Sequence, residues 1–175
     1  MKKIVSLIIM AFIAVSSYAK PDFTIPEIEK YENAEQCKKD NDIVYKSAKY
    51  YLSTNLQDDK YEAISAAKYM WIWTQASEDI VFKISPRRSP YLKCKNENRA
   101  VQMLGAYLSG CIIYCLDNKH RDHDFDMHYF AISQMLTYYE KNKSAIGNER
   151  AMNKMLKDFK SGKLKEKEQN KFNKK

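Results

Sequence analysis

The chain has 175 residues and a formal net charge of +8 at pH 7, and 45% of its residues are hydrophobic. One domain with an ordinary core fits this length. The positive charge is concentrated near the C-terminus: residues 153–175 contain nine lysines and three acidic residues, whereas residues 20–152 contain 19 basic and 19 acidic residues. Because a globular nucleic-acid-binding protein carries its basic residues on the folded surface, this distribution argues against nucleic acid as a partner.

The N-terminal segment has the three parts of a secretory signal peptide. Lys2 and Lys3 precede a largely apolar run over residues 4–15, and Ser17 and Ala19 are small residues three and one positions before a cleavage site after residue 19. The run is shorter than the roughly 20 residues that span a bilayer. We therefore expect residues 1–19 to be removed and the mature protein to be periplasmic or extracellular, with no membrane span. An uncleaved membrane anchor is the alternative.

Helical periodicity accounts for most of the remaining chain. After an extended lead-in over residues 20–33, apolar residues recur at steps of three and four. This spacing predicts helices over residues 34–55, 60–76, 98–117 and 125–146, and a fifth helix that follows Asn148. The predicted fold is therefore all-α, a four- or five-helix bundle over residues 34–160.

The segment from about residue 77 to 96 interrupts this pattern as a long irregular insertion. Residues 79–84 are rich in β-branched and aromatic side chains, and Pro86 and Pro90 prevent regular structure around them. Long loops in small domains are often functional, and aromatic residues and arginine are enriched at interfaces. We therefore expect a protein-binding surface here, with a solvated turn as the alternative. Its candidate residues are Trp73, Phe82, Arg87 and Arg88.

The four cysteines suggest disulfides, because the chain is expected to be exported. Cys111 and Cys115 lie one turn apart on one predicted helix, so we do not expect them to bridge each other. If the first and third helices run parallel, Cys37 and Cys94 lie at the same end of the bundle, and we predict a disulfide between them. If these helices run antiparallel, Cys37 pairs instead with Cys111 or Cys115.

The connection before the fourth helix holds the densest set of possible metal ligands. All three histidines of the chain and four aspartates fall between residues 117 and 128, and imidazole and carboxylate groups bind zinc and other transition metals. The candidate ligands are His120, His123, Asp124 and His128. Basic residues at ligand positions exclude a calcium loop. The alternative is a solvated connection in which an aspartate caps the following helix.

Residues 161–175 have almost no apolar side chains, so we predict a disordered, lysine-rich tail. The chain has no serine–histidine–aspartate order and no glycine-rich phosphate loop. We therefore expect an exported protein-binding or inhibitory module with a protein partner in the cell envelope and no cofactor. Two alternatives are open: a metal-dependent enzyme or metal carrier that uses the histidine segment, and an envelope protein tethered to polyanions by its tail.

Overall fold

The computed structural model describes residues 21–85 and 89–173, and in these ranges it contains helices but no strand. The predicted all-α bundle is thus confirmed. A short 3₁₀ helix, Pro90–Lys93, lies between the third and fourth α-helices. The predicted signal peptide, residues 1–19, lies outside the described ranges. The α-helices are α1 (Ala34–Lys39), α2 (Asn41–Ser53), α3 (Lys60–Ala76), α4 (Glu97–Asn118), α5 (Phe125–Lys141), α6 (Lys143–Ile146), α7 (Arg150–Lys160) and α8 (Leu164–Phe172).

The centre of the bundle is α4, whose sequence is almost continuously apolar or small from Met103 to Cys115. Eleven of its residues are buried, as expected of a helix that is surrounded by others rather than lying on a surface. By length and composition α4 is also able to cross a membrane, but 61% of its apolar stretch is buried inside the bundle. That burial is the property of a core helix.

The two helices with the most extensive contacts to α4 are α2 and α5. The Tyr45 hydroxyl of α2 donates to the Asp117 carboxylate at 2.7 Å, and the Tyr51 hydroxyl donates to the Gln102 carbonyl at 3.0 Å. Later residues of α2 therefore meet earlier residues of α4, and the two helices are antiparallel.

The single helix predicted over residues 34–55 is divided into α1 and α2 at Asp40. Its carboxylate accepts hydrogen bonds from the Tyr31 hydroxyl at 2.8 Å and from the Tyr69 hydroxyl at 3.1 Å. These bonds tie the extended lead-in and α3 to the break between the two helices. The lead-in is thus held against the bundle by a polar contact that its sequence did not reveal.

The segment between α3 and α4 is irregular, as predicted, but it is packed against the bundle. The Val81 N–H donates to the Arg121 carbonyl at 2.7 Å, and Ile80 and Tyr91 are buried. Residues 79–84 do not form a strand despite their composition. The insertion therefore contributes side chains to the core and is only partly exposed.

The C-terminal segment is folded, and the prediction of a disordered tail over residues 161–175 is wrong for its described part. Helix α8 buries Leu164 and Glu168, which are 1% and 2% exposed. Sequence reasoning missed this helix because one of its two buried residues is charged, and charged residues are rarely buried unless they are paired. Its exposed lysines are held on a helix that is docked against the bundle.

The predicted Cys37–Cys94 disulfide is absent, because all four cysteines are free thiols. The antiparallel arrangement of α2 and α4 is the physical reason. It places Cys37 near the end of α4, where its thiol donates to the Trp73 carbonyl at 3.5 Å. Cys94 precedes the start of α4 and therefore lies at the opposite end of the bundle.

For antiparallel helices, the alternative prediction was a disulfide from Cys37 to Cys111 or Cys115. That disulfide is also absent, because these cysteines are free thiols. The Cys115 thiol donates instead to the Asp79 carbonyl at 2.7 Å. Cys111 is fully buried within α4. Buried thiols of this kind behave as small apolar side chains.

We expect the native protein to retain four free thiols that react slowly at about pH 8. Burial raises the pKa of Cys37 and of Cys115 to about 11, so little of either is present as the reactive thiolate. Cys94 is the least buried of the four and should be alkylated first. Iodoacetamide labelling followed by peptide mass spectrometry measures this order. An intact mass that rises on reduction of the native protein would contradict it.

We expect Gly110→Ala to destabilise the fold, although alanine favours a helix by about 1 kcal/mol over glycine. A Cβ at this position would lie 2.6 Å from the Ala131 Cα of α5, and overpacking of this kind costs about 1–3 kcal/mol. Gly105→Ala is the matched comparison with a smaller expected loss, because its Cβ would meet a side chain, the Tyr51 ring, rather than the backbone of a neighbouring helix. Urea unfolding measures both variants. If the Gly110→Ala protein is as stable as the Gly105→Ala protein, the α4–α5 backbone contact is less tight than the 2.6 Å distance implies.

Candidate functional site

A groove between α3 and α4 brings large apolar side chains to the surface. Helix α3 packs more extensively on α2 than on α4, which leaves a cavity of about 270 Å³ between α3 and α4. We call this cavity the α3–α4 groove. Its apolar lining includes Ile64, Trp71, Val101, Leu104 and Leu108.

Three side chains of the α3–α4 groove are well exposed: Ile64 by 56%, Trp71 by 37% and Val101 by 61%. Full burial of an apolar side chain of this size contributes about 1.5–3 kcal/mol to stability. Because these three side chains stay partly exposed, a partner that covers them would gain the rest of this free energy. Single exposed apolar residues are common on soluble proteins, but a contiguous group marks an interaction site. The groove is therefore the strongest candidate site in the described residues.

Small residues on both helices create the space in the groove. Ala63 and Ala67 lie along its α3 side, and Gly105 lies on its α4 side. The Tyr51 ring packs so closely on Gly105 that an added Cβ would lie 2.6 Å from it. The groove is thus bounded below by a buried tyrosine, which is held by its hydrogen bond to the Gln102 carbonyl.

The charged groups that line the groove are Lys60 and Lys68, and none of its described lining residues is acidic. The groove therefore combines apolar walls with positive charge. Complementary charges steer binding and suppress wrong partners more than they add affinity. This combination favours an apolar segment that also carries acidic residues.

The groove is continuous with the irregular insertion through Phe82, one of the predicted interface residues. The Phe82 ring meets the Trp71 ring edge to face, with centroids 6.3 Å apart. It also stacks on the His123 ring at 6.0 Å. Phe82 is therefore held between the groove and the core, and only part of it is accessible.

The other predicted interface residues have different outcomes. Trp73 is 0% exposed, and its indole Nε1–H donates to the Cys37 carbonyl at 3.2 Å, so it cannot contact a partner. The exposed tryptophan is Trp71, two positions earlier on α3. Arg87 and Arg88 lie outside the described residues.

The four predicted metal ligands do not come together. His120 Nε2 lies 2.9 Å from Asp124 Oδ2 at a half-exposed site, whereas His123 and His128 are buried on either side of the Tyr107 hydroxyl. Asp124 also accepts from the Met127 N–H at 3.0 Å and so caps α5. Within the described residues, no three His, Cys, Asp or Glu side chains are placed to hold a metal ion.

A larger cavity, of about 690 Å³, lies where α1 ends, α2 begins and α4 ends. It contains both acidic and basic residues, but three of its carboxylates are already engaged. Asp42 pairs with Lys46 at 2.7 Å, and the other two accept from Asn41 and Tyr45, also at 2.7 Å. This cavity is therefore better explained as a solvated junction than as the site.

No similar protein helps to interpret the α3–α4 groove. Comparisons with protein-family models, with curated proteins and with solved structures found no match to this chain. A helical bundle by itself supports many unrelated functions. The interpretation of this chain therefore depends on its own residues.

Proposed function

We propose that this chain is an exported protein-binding module that holds an apolar, acidic segment of a partner protein in the α3–α4 groove. The observation that carries the proposal is the group of exposed apolar side chains, Ile64, Trp71 and Val101, in one cavity that also has two lysines. Aromatic anchors at the centre of an interface commonly supply much of the binding energy. Trp71 is the anchor of this surface.

The size of the groove favours side chains of a protein over a small molecule. Sites for small ligands usually have volumes of about 300–1,000 Å³ and enclose most of the ligand, whereas the groove has about 270 Å³. That space suits a few apolar side chains presented by one segment. An amphipathic helix that lies along α3 and α4 is the simplest partner of this kind.

The partner is expected to bind weakly or transiently through the groove alone. Covering three partly exposed side chains contributes on the order of a few kcal/mol, and association costs several kcal/mol of lost translational and rotational freedom. Additional contact at Phe82, which adjoins Trp71, increases the buried area. The insertion therefore extends the binding surface that begins in the groove.

We expect a photo-cross-linking amino acid at position 101 to give a discrete adduct with one partner in intact cells. Adding Ile64→Glu to the same chain should reduce the adduct about tenfold or more, because it puts a charge on the apolar wall and offsets the positive charge of Lys60 and Lys68 that favours an acidic partner. Leu92→Glu is the matched control, since Leu92 is 50% exposed and lies outside the groove. Adduct yield on immunoblots is the measurement. Equal loss in both variants, or no adduct from position 101, would overturn the proposal.

Export is the second part of the proposal, and the arrangement of residues 1–19 supports it. We expect the mature protein to begin at Lys20 and to appear in the periplasmic or culture fraction. Ala19→Leu should leave the longer form uncleaved, because the peptidase needs a small residue directly before the cut, whereas Tyr18→Leu should be processed normally. N-terminal sequencing after fractionation tests this. A full-length chain in the cytosol would contradict it.

A further inference from the structure

The C-terminal helix α8 is held on the bundle by few side chains. Leu164 and Glu168 are its buried residues, and the Phe172 ring packs against the rings of Phe125 and His128, with centroids 5.8 and 5.3 Å away. A helix of nine residues is not stable alone in water. Its docking therefore depends on these contacts, and one of them is a buried carboxylate.

That carboxylate ends a chain of buried polar groups. The Tyr107 hydroxyl lies 2.8 Å from His123 Nε2 and 2.6 Å from His128 Nδ1. On the far side of the same ring, His128 Nε2 lies 3.9 Å from Glu168 Oε2. Glu168 is thus connected through one imidazole to a tyrosine and a second imidazole in the core.

The carboxylate also influences where the His128 ring carries its hydrogen. Because ionised Glu168 only accepts, it favours a hydrogen on the facing His128 Nε2. The other nitrogen of that ring, Nδ1, is held by the Tyr107 hydroxyl at 2.6 Å. The imidazole is therefore fixed between the core and the carboxylate of α8.

Lys171 pairs with the same carboxylate, but it lies one turn further along α8. Because α8 is not stable alone, this pair also depends on docking. A partly exposed ion pair joins Lys167 of α8 to Asp158 of α7 at 2.6 Å, whereas the buried polar attachment of α8 is the contact of Glu168 with His128. A buried charge with a single partner across the interface has only a small margin over its cost of desolvation.

We propose that α8 is a latch that acid releases: protonation of the Glu168 carboxylate weakens its contact with His128, and the helix separates while α2 to α5 stay folded. This inference is independent of the α3–α4 groove. The other titratable and charged groups around the network are Tyr91 and Lys93 of the 3₁₀ helix, Tyr107 and Cys111 of α4, His123, Lys154 of α7 and Lys171 of α8.

The direction of the pH effect follows from the surroundings of Glu168. Burial alone raises the pKa of its carboxyl, but the hydrogen bonds and charges of His128 and Lys171 outweigh burial and hold that pKa below its usual value. The ionised carboxylate therefore stabilises docking fully above the usual pKa of about 4.3. This contribution disappears as the pH falls through the lowered pKa, so the latch is closed at neutral pH and opens in acid.

The test compares Glu168→Gln with Glu166→Gln in the full chain at about pH 7 by hydrogen exchange and mass spectrometry. Glutamine imitates the protonated carboxyl, and Glu166 is an exposed carboxylate on the same helix. We expect exchange in α8 to be about threefold to tenfold faster in Glu168→Gln, because glutamine removes the negative charge that faces His128 and Lys171. Exchange in α4 should be unchanged, and Glu166→Gln should match the parent protein.

The parent protein supplies a measurement that needs no substitution. With exchange rates corrected for their intrinsic pH dependence, peptides from α8 should lose protection near pH 4, close to the usual pKa of glutamic acid, before peptides from α4 do. Loss of protection in α8 and α4 together would mean global unfolding and would overturn the latch. So would a Glu168→Gln protein whose α8 stays as protected as that of Glu166→Gln.

Discussion

The close contact between α4 and α5 is the constraint on which the rest of the structure depends. Gly110 lets the two backbones approach until a single added carbon would lie 2.6 Å from the Ala131 Cα. With α5 in that position and α2 also packed on α4, α3 rests mainly on α2. The α3–α4 groove is the space that this arrangement leaves open, so the candidate binding surface is a by-product of how the core closes.

Much of the fold followed from periodicity, because apolar residues at helical spacing have to be buried whatever the topology. The helix boundaries at Ala76 and Asn118 differ little from the predicted ones. The break at Asp40 could not be predicted, since it depends on hydroxyl groups from distant Tyr31 and Tyr69. The relative direction of α2 and α4 was equally hidden, and the wrong choice led to the wrong cysteine pairing.

The candidate site was only partly visible in the sequence. Trp73 was predicted at the interface, but Trp71 is the exposed tryptophan, because which of the two faces solvent depends on how α3 is turned against α2. Val101 falls on the apolar helical spacing of α4, yet it is 61% exposed because α3 does not cover it. Glu168 was assigned to a disordered tail, because nothing near it in the sequence indicates that His128 is its partner. Long-range neighbours decide each of these cases, and composition does not contain them.

In a chain that we propose to be exported, free thiols make disulfide formation compete with folding. Disulfide formation takes seconds to hours, so the cysteines stay reduced only if the helices close around them sooner. Once Cys37, Cys111 and Cys115 are enclosed, oxidants reach them only through opening of the bundle. Anything that prolongs the open chain, such as slow translocation, would favour scrambled cross-links over the native state. The yield of correctly folded protein would then depend on the rate of folding rather than on the stability of the folded core.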